Sequence, residues 1–260
     1  MKMQDDSGGG TCLIVLAHPE ARSFCGAWAE ASAAGAEAAG ARVLWSDLCA
    51  MGFDPVEGQG HYPGLEGRFD PLKAQGAAAE KGRMPADVAA EVEKIEAADV
   101  IVFHFPLWWF GPPAILKGWL DRCLVHGRIH DVDHRFDAGR MRGKRALFCV
   151  STGAKASESG PGGKEGETRL LLWPLAYTLR YCGFDVAEPL LVHGVHGYFT
   201  GAEEAALEER LSGVLAAQAG MIAGLSGRAL MSFNADADFD DEGRLKPGAP
   251  SHSPFIRRAD

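Results

Sequence analysis

The chain has 260 residues, a length that suits one α/β domain with an arm better than two full domains. Acidic residues number 35 and basic residues 26, a formal net charge of −9, which argues against nucleic acid as a partner because phosphate contacts need a basic surface. Apolar residues at 47% and charged residues at 23% are ordinary globular values and exclude wholesale disorder.

Residues 1–11 lack an apolar core and read as a flexible lead, not a signal peptide. The run Cys12-Leu13-Ile14-Val15-Leu16-Ala17 is all apolar, as expected of a parallel strand covered on both faces. Phe24 to Gly40 is Ala-rich and helical, with Ser23 as a candidate N-cap. Arg42 to Ser46 reads as a second strand. Glu57 to Pro85 is rich in Gly, Pro and polar residues and reads as an insertion with little regular structure, at a site or a dimer interface. Asp87 to Ala97 is a helix with Val88, Val92 and Ile95 on one face. Asp99 to Phe105 is the clearest central strand. A helix from Pro113 to Leu124 starts with proline in its first turn, where the missing N–H is harmless. Ala146 to Val150 is a fourth strand, Leu170 to Tyr181 a helix ended at Cys182-Gly183, and Phe184 to Val192 contains a fifth strand. Ala202 to Leu225 is the last helix. The domain therefore spans 12–230, followed by a polar, Pro-containing arm over 231–260 that either lies on a surface or is disordered.

Two wider readings follow. The apolar stretch Val100 to Val125 is interrupted by Pro106, Pro112, Pro113, Lys117, Asp121 and Arg122, short of the roughly 20 apolar residues a span needs, so no stable membrane insertion is expected. The six cysteines form no CxxC pair and no zinc-ligand spacing, and read as reduced thiols of a cytoplasmic protein.

Strands alternating with helices predict a doubly wound parallel sheet with helices on both faces, and five strands fit the flavodoxin-like order 2-1-3-4-5. Ligands of such sheets bind at the carboxyl ends of the strands, which selects loops 18–23, 106–111 and 151–166. In the first, a helix N-terminus with His18, Arg22 and Ser23 suits a phosphate, although an ordinary helix cap explains the same residues. It is not the Gly-rich dinucleotide fingerprint, and Gly160 to Lys164 only mimics a phosphate loop because its glycine spacing is wrong. In the second, Pro106-Leu107-Trp108-Trp109-Phe110 places three adjacent aromatics where a loop is normally polar. They suit a flat apolar ring such as an isoalloxazine, or else a hydrophobic plug or dimer contact. The third, Ser151-Thr152-Gly153-Ala154, offers hydroxyls and amides that suit a ring edge or a ribityl chain, or a plain turn.

These residues carry a family resemblance. The segment over roughly 12–200 resembles the NAD(P)H:quinone oxidoreductases of the DT-diaphorase type, within the flavodoxin-like flavoproteins. The similarity includes Leu16-Ala17-His18-Pro19-Glu20, Ser23-Phe24, Phe53-Asp54-Pro55 and Ser151-Thr152-Gly153. Its longest block is Phe105-Pro106-Leu107-Trp108-Trp109-Phe110-Gly111 with Pro113-Ala114-Ile115-Leu116-Lys117-Gly118-Trp119. The resemblance implies a homodimer with composite sites, each holding FAD. It implies ping-pong chemistry in which NAD(P)H gives a hydride to the flavin and a quinone takes it in one two-electron step. It implies that His18, Ser23, Phe24 and Cys25 lie near the FAD phosphates and adenosine, and that Pro106 to Phe110 and Ser151 to Ala154 line the ring. Asp70 falls where a family residue reaches across the dimer towards the flavin.

The chain also departs from the family. Ser159 and Glu165 fall where the best-studied members carry a tyrosine and a histidine that stabilise charge on the reduced flavin. A carboxylate cannot replace an imidazolium in that role. His130 falls on a further family tyrosine and Arg128 on an aromatic beside it, so Arg128 or His130 is expected to supply the missing positive partner. His126, His130 and His134 recur at a spacing that suits zinc on a helix, but Gly127 and the turn-like Asp131-Val132-Asp133 favour a polar loop at the pocket rim. Motifs near the ring do not report the adenosine end, which leaves FMN, with azo or nitro acceptors, as one alternative. A flavin-binding accessory subunit of a membrane transport system is another, and a one-electron carrier a third.

Overall fold

In the computed structural model, which describes residues 9–257, the apolar runs become strands covered by helices on both faces. Strands β1 (Gly9–Leu16), β2 (Ala41–Asp47), β3 (Val100–Pro106) and β4 (Arg145–Thr152) are parallel and lie in the order β2-β1-β3-β4. The fifth place is shared by β5 (Asp185–Val186) and β6 (Leu190–His193), both parallel to β4. The predicted order 2-1-3-4-5 holds, but the fifth strand is in two pieces. Arg145 faces Asp185 whereas Cys149 faces Leu190, so the edge carries one extra residue. Pro189, which has no N–H to give, falls in the gap. Arg228 fills it by donating to the carbonyls of Glu188 at 2.5 Å and Pro189 at 3.0 Å.

The helices are α1 (Phe24–Ala38), α2 (Pro71–Glu80), α3 (Ala86–Ala97), α4 (Ala114–Cys123), α5 (Thr168–Leu171), α6 (Trp173–Cys182) and α7 (Ala202–Ala223). Strand alternation divides the core between them. Ile101, Phe103 and Phe105 of β3 point to one face, where Val92, Ile95, Leu116, Trp119 and Leu179 of α3, α4 and α6 meet them. Val102 points to the other, under Trp28 and Ala29 of α1 and Ile222 of α7. Helix α6 ends on Gly183 at φ +101, and a Cβ there would lie 2.8 Å from Gly139, so both the left-handed backbone and the space require glycine.

The insertion corrects an expectation. Residues Pro71–Glu80 form a ten-residue helix, α2, with Pro71 in its first turn and the Asp70 carboxylate accepting from the Lys73 N–H at 3.3 Å. The segment is tied to the body. Gln75 donates to Glu57 at 2.9 Å and to the Asp121 carbonyl at 3.0 Å, and His61 Nδ1 accepts from Arg122 at 3.2 Å. At the other end of the chain, Met231 donates its N–H to the Val186 carbonyl at 2.8 Å, and Phe255 stacks on Trp173 with ring centroids 5.1 Å apart. No helix among the described residues is long and apolar enough to cross a membrane.

Candidate active site

The β3–β4 register places Pro106 opposite Ser151, and the Leu107 N–H donates to the Ser151 carbonyl at 2.8 Å. That pairing sets two of the three selected loops side by side. Beyond it the chain makes a tight turn. Trp108 N–H donates to the Gly111 carbonyl at 2.9 Å and Gly111 N–H to the Trp108 carbonyl at 3.1 Å. The two residues between them are left-handed, Trp109 at φ +49 and Phe110 at φ +64. Such a turn normally takes Asn-Gly. Bulky residues there carry strain of order 1–3 kcal/mol each. The strain holds two rings out of the fold, Trp109 at 95% exposure and Phe110 at 54%. Among the described residues, the amides of Trp109, Phe110 and Gly153 have no acceptor.

These loops wall a cavity of about 270 Å³. Leu107, Trp109, Phe110, Thr152, Gly153 and Ala154 line it from the strand ends. Ser159 and Glu165 line it from the loop that follows β4, so two of the four positions that depart from the family pattern stand beside the aromatic turn. Thr168 and Leu171, at the start of α5, complete the wall and were not expected from sequence. Thr168 also fixes the loop, its N–H donating to the Ser159 carbonyl at 3.0 Å. No motif marks these two positions; only the hairpin-like return of 159–168 onto itself brings them there.

The first selected loop stands beside this cavity. The His18 ring lies 5.9 Å from Trp108, and its Nδ1 accepts from the Glu20 N–H at 3.1 Å. Arg22 pairs with Glu20 at 3.1 Å, and its hydrogen bonds hold the Glu20 carboxyl below the usual range. Ser23 caps α1, accepting from the Gly26 N–H at 3.2 Å. Phe24 leans on Trp28 with centroids 5.2 Å apart. Cys25 Sγ lies 3.2 Å from Ser151 Oγ, and burial pushes its thiol up to about 11, which makes it a packing thiol and not a nucleophile. Behind these residues runs a neutral network. Trp28 donates to Gln218 of α7 at 2.7 Å, Gln218 donates to Ser32 at 2.7 Å, and Ser32 Oγ meets His104 Nε2 at 2.9 Å. It locks α1, and with it the capped N-terminus, to the sheet.

Three expected site residues stand elsewhere in the single chain. Arg128 is committed to Glu96 through two hydrogen bonds of 2.9 and 2.5 Å. His130 lines a second cavity of about 560 Å³ with Leu72, Gln75, Tyr177 and Tyr181. Its ring meets those of His126 and Tyr181 edge-on at 5.5 and 5.4 Å, and burial, then the His126 charge, hold its pKa down. Asp70 is the α2 cap. His134 is turned to Asp131 at 2.8 Å, and among the described residues no three His, Cys, Asp or Glu side chains form a metal-sized group.

The cavity of the aromatic turn therefore combines apolar side chains with hydroxyls, carries free backbone donors, and contains no nucleophile beside a base. Those features fit a flavin ring, whose faces are apolar and whose edge accepts hydrogen bonds. A family model described as a flavodoxin-like fold matches residues 11–216. The chain is 40% identical over 188 residues to the rat protein named NAD(P)H dehydrogenase [quinone] 1, covering 70% of this chain and 68% of that one. It is 36% identical over 213 residues to the human ribosyldihydronicotinamide dehydrogenase [quinone], covering 80% and 89%. Among solved structures, a Klebsiella pneumoniae protein assigned as a quinone reductase superposes with a TM-score of 0.81 at 30% identity, covering 93% of this chain and 97% of that one. With its sheet order, its strand-end cavity and these relatives in agreement, the chain belongs to the quinone-reductase branch of the flavodoxin-like family.

Proposed function

We infer that the chain is a flavoprotein oxidoreductase that takes a hydride from NAD(P)H and passes it to a quinone or similar flat aromatic acceptor. The observation that carries this reading is the strained Trp109–Phe110 turn, which spends backbone energy to hold two rings and two free amides over a cavity at the strand ends. When bound, the flavin supplies a two-electron store that accepts and returns the hydride. The chain's own groups bind and orient it. The amides of Trp109, Phe110 and Gly153 are placed to donate to the ring edge, Leu107 and the aromatic rings exclude water, and Ser151 and Thr152 present hydroxyls on the β4 side. The capped N-terminus of α1, with His18 and Arg22, suits the phosphates, and Phe24 and Cys25 stand beside it.

The finer reading is FAD as the flavin, a homodimer as the working unit and the cytoplasm as its place. In it, Asp70, Arg128 and His130 serve the partner copy's cavity, which accounts for their absence from their own. The family likeness supports this, as does a second, larger cavity at α2 and α6 that lies open on the surface. FMN is the competing cofactor, favoured by one observation: a Treponema denticola general stress protein 26% identical to this chain is described in complex with FMN. The test is the absorbance spectrum of the purified protein, then chromatography of the chromophore released on denaturation. A yellow protein releasing FAD is expected, with Gly153→Leu, which fills the cavity, colourless. A protein that binds neither flavin when either is added overturns the reading.

A further inference from the structure

Glu165 is the charged residue among the ten that line the cavity of the aromatic turn. Its carboxylate makes no hydrogen bond or ion pair among the described residues. Neutralisation from nearby is ruled out by how the neighbouring cations are used. Lys164, next in sequence, pairs with Glu158 at 3.1 Å. Arg169, one turn along, is held by both oxygens of Glu188 at 2.8 and 2.6 Å. Lys155, at the near end of the same loop, bears on Glu158 as well. The loop's positive charges are thus spent on other carboxylates, and one negative charge is left facing the cavity.

The rest of the wall magnifies that charge. Leu107, Ala154 and Leu171 give the wall apolar surface, so a charge brought in beside Glu165 is screened less than in bulk water. Two like charges close together in such a place repel, and an anion gives up its hydration for nothing in return. A cation gains the carboxylate and also the faces of the exposed aromatic rings. The formal charge of −9 on the chain adds a weaker bias of the same sign at longer range.

We propose that Glu165 is a specificity determinant that sorts flat aromatic acceptors by charge, favouring cationic ones and turning away those that carry sulfonate or carboxylate groups. This rests on the flavin reading proposed above, with the acceptor stacking on the bound ring at the wall Glu165 lines, and adds the class of acceptor that stack takes. Ser159, buried and tied through its carbonyl to Thr168, shapes the same wall without adding charge.

The test uses two redox-silent probes of matched shape, naphthalene-2-sulfonate and 2-naphthyltrimethylammonium, titrated calorimetrically into the purified holoprotein. The same comparison is then made in turnover, as kcat/KM for naphthoquinones bearing the same two groups. The cationic member of each pair is expected to be favoured by about tenfold at low salt, less at high salt. Glu165→Gln should bring both ratios close to one, and Glu165→Lys should invert them. A wild-type ratio near one, or a ratio unmoved in Glu165→Gln, overturns the proposal. The flavin content of each purified protein separates this from failure of the site reading. If Glu165→Gln holds as much flavin as the wild type and the ratio is unmoved, only the charge sorting is wrong. If the wild type binds neither flavin, the site reading fails and the proposal falls with it.

Discussion

The two faces of the sheet bury their polar groups in different forms. Under α3 and α4 they are ions. Arg122 has no exposed side-chain surface, donates to Asp87 at 2.7 Å and to the Asp54 carbonyl at 2.7 Å, and lies over the Phe53 ring. Glu91, fully buried, accepts from Ser46, Trp119 and Lys94 at 2.5, 2.8 and 2.6 Å. Under α1 and α7 the polar groups are neutral: Trp28, Gln218, Ser32 and His104 are joined by hydrogen bonds in a line. Both arrangements pair most of their buried polarity, each leaving one nitrogen without a partner among the described residues, Arg122 Nε and His104 Nδ1. They differ in what breaks them. The ionic face holds the insertion onto the body, whereas the neutral face seats the helix whose N-terminus serves the candidate site.

The largest effect is expected where an ion loses its partner. Arg122→Met removes the cation paired with Asp87 and leaves the Asp54 carbonyl and His61 Nδ1 without this donor. Because the Asp87 side chain is 38% exposed and can rehydrate, the loss should fall at the low end for broken buried pairs, about 3 kcal/mol in urea unfolding. A loss under about 1 kcal/mol would mean that the ions do not hold this face. On the neutral face, Gln218→Leu strands the Trp28 N–H and leaves the Ser32 hydroxyl with His104 alone, and should destabilise by about 2 kcal/mol. It should also weaken flavin retention, which Arg122→Met leaves alone if the division of labour is right.

Acid should separate the faces more finely. Burial lowers the His104 pKa to about 3. Above about pH 6.5 the ring is neutral in both folded and unfolded chains and contributes no pH dependence. As pH falls below that value the unfolded chain takes a proton that the folded chain refuses, so stability should drop by about 1.4 kcal/mol per pH unit towards 3. Burial alone would raise the Asp87 carboxyl, but the Arg122 hydrogen bond and charge outweigh it and hold it below 3.8, so its contribution is lost only in stronger acid. The neutral face therefore weakens first. His104→Gln should flatten the stability profile between about pH 6 and 4, and a variant profile as steep as the wild type's would refute the assignment.

The sequence was readable where one signal dominated. The all-apolar run Cys12 to Ala17, and Ile101 to Phe105 with His104 as its one polar residue, point to strands covered on both faces, and Ser23 before an Ala-rich stretch marks a helix start. Signals in conflict were misread. Asp70-Pro71 is a good helix opening, but Gly76 and the flanking Gly and Pro residues hide the helix that follows; a Cβ at Gly76 would lie 3.1 Å from His126 Nδ1, a tight contact. The break in the fifth strand depends on its register against β4, which composition does not report. The same holds for the site. The aromatic turn and the Thr-Gly turn were visible as residues out of character for loops. The approach of Thr168 and Leu171 comes only from how loop 159–168 folds back, and the pairing of Arg128 with Glu96 joins residues 32 apart.

The interrupted fifth strand has a consequence for how copies of this chain can meet. An open strand edge invites another strand to add to it, which is the usual route to uncontrolled aggregation. Here that edge is cut into pieces of two and four residues, bent by the extra residue and covered near Ala187 by the chain at Leu230. The opposite edge, β2, has the Trp45 carbonyl taken by Lys94 at 2.7 Å. With both margins blunted, sheet-to-sheet growth is discouraged. Any stable association is steered towards the helical flanks, where complementary shape and not open backbone must choose the partner.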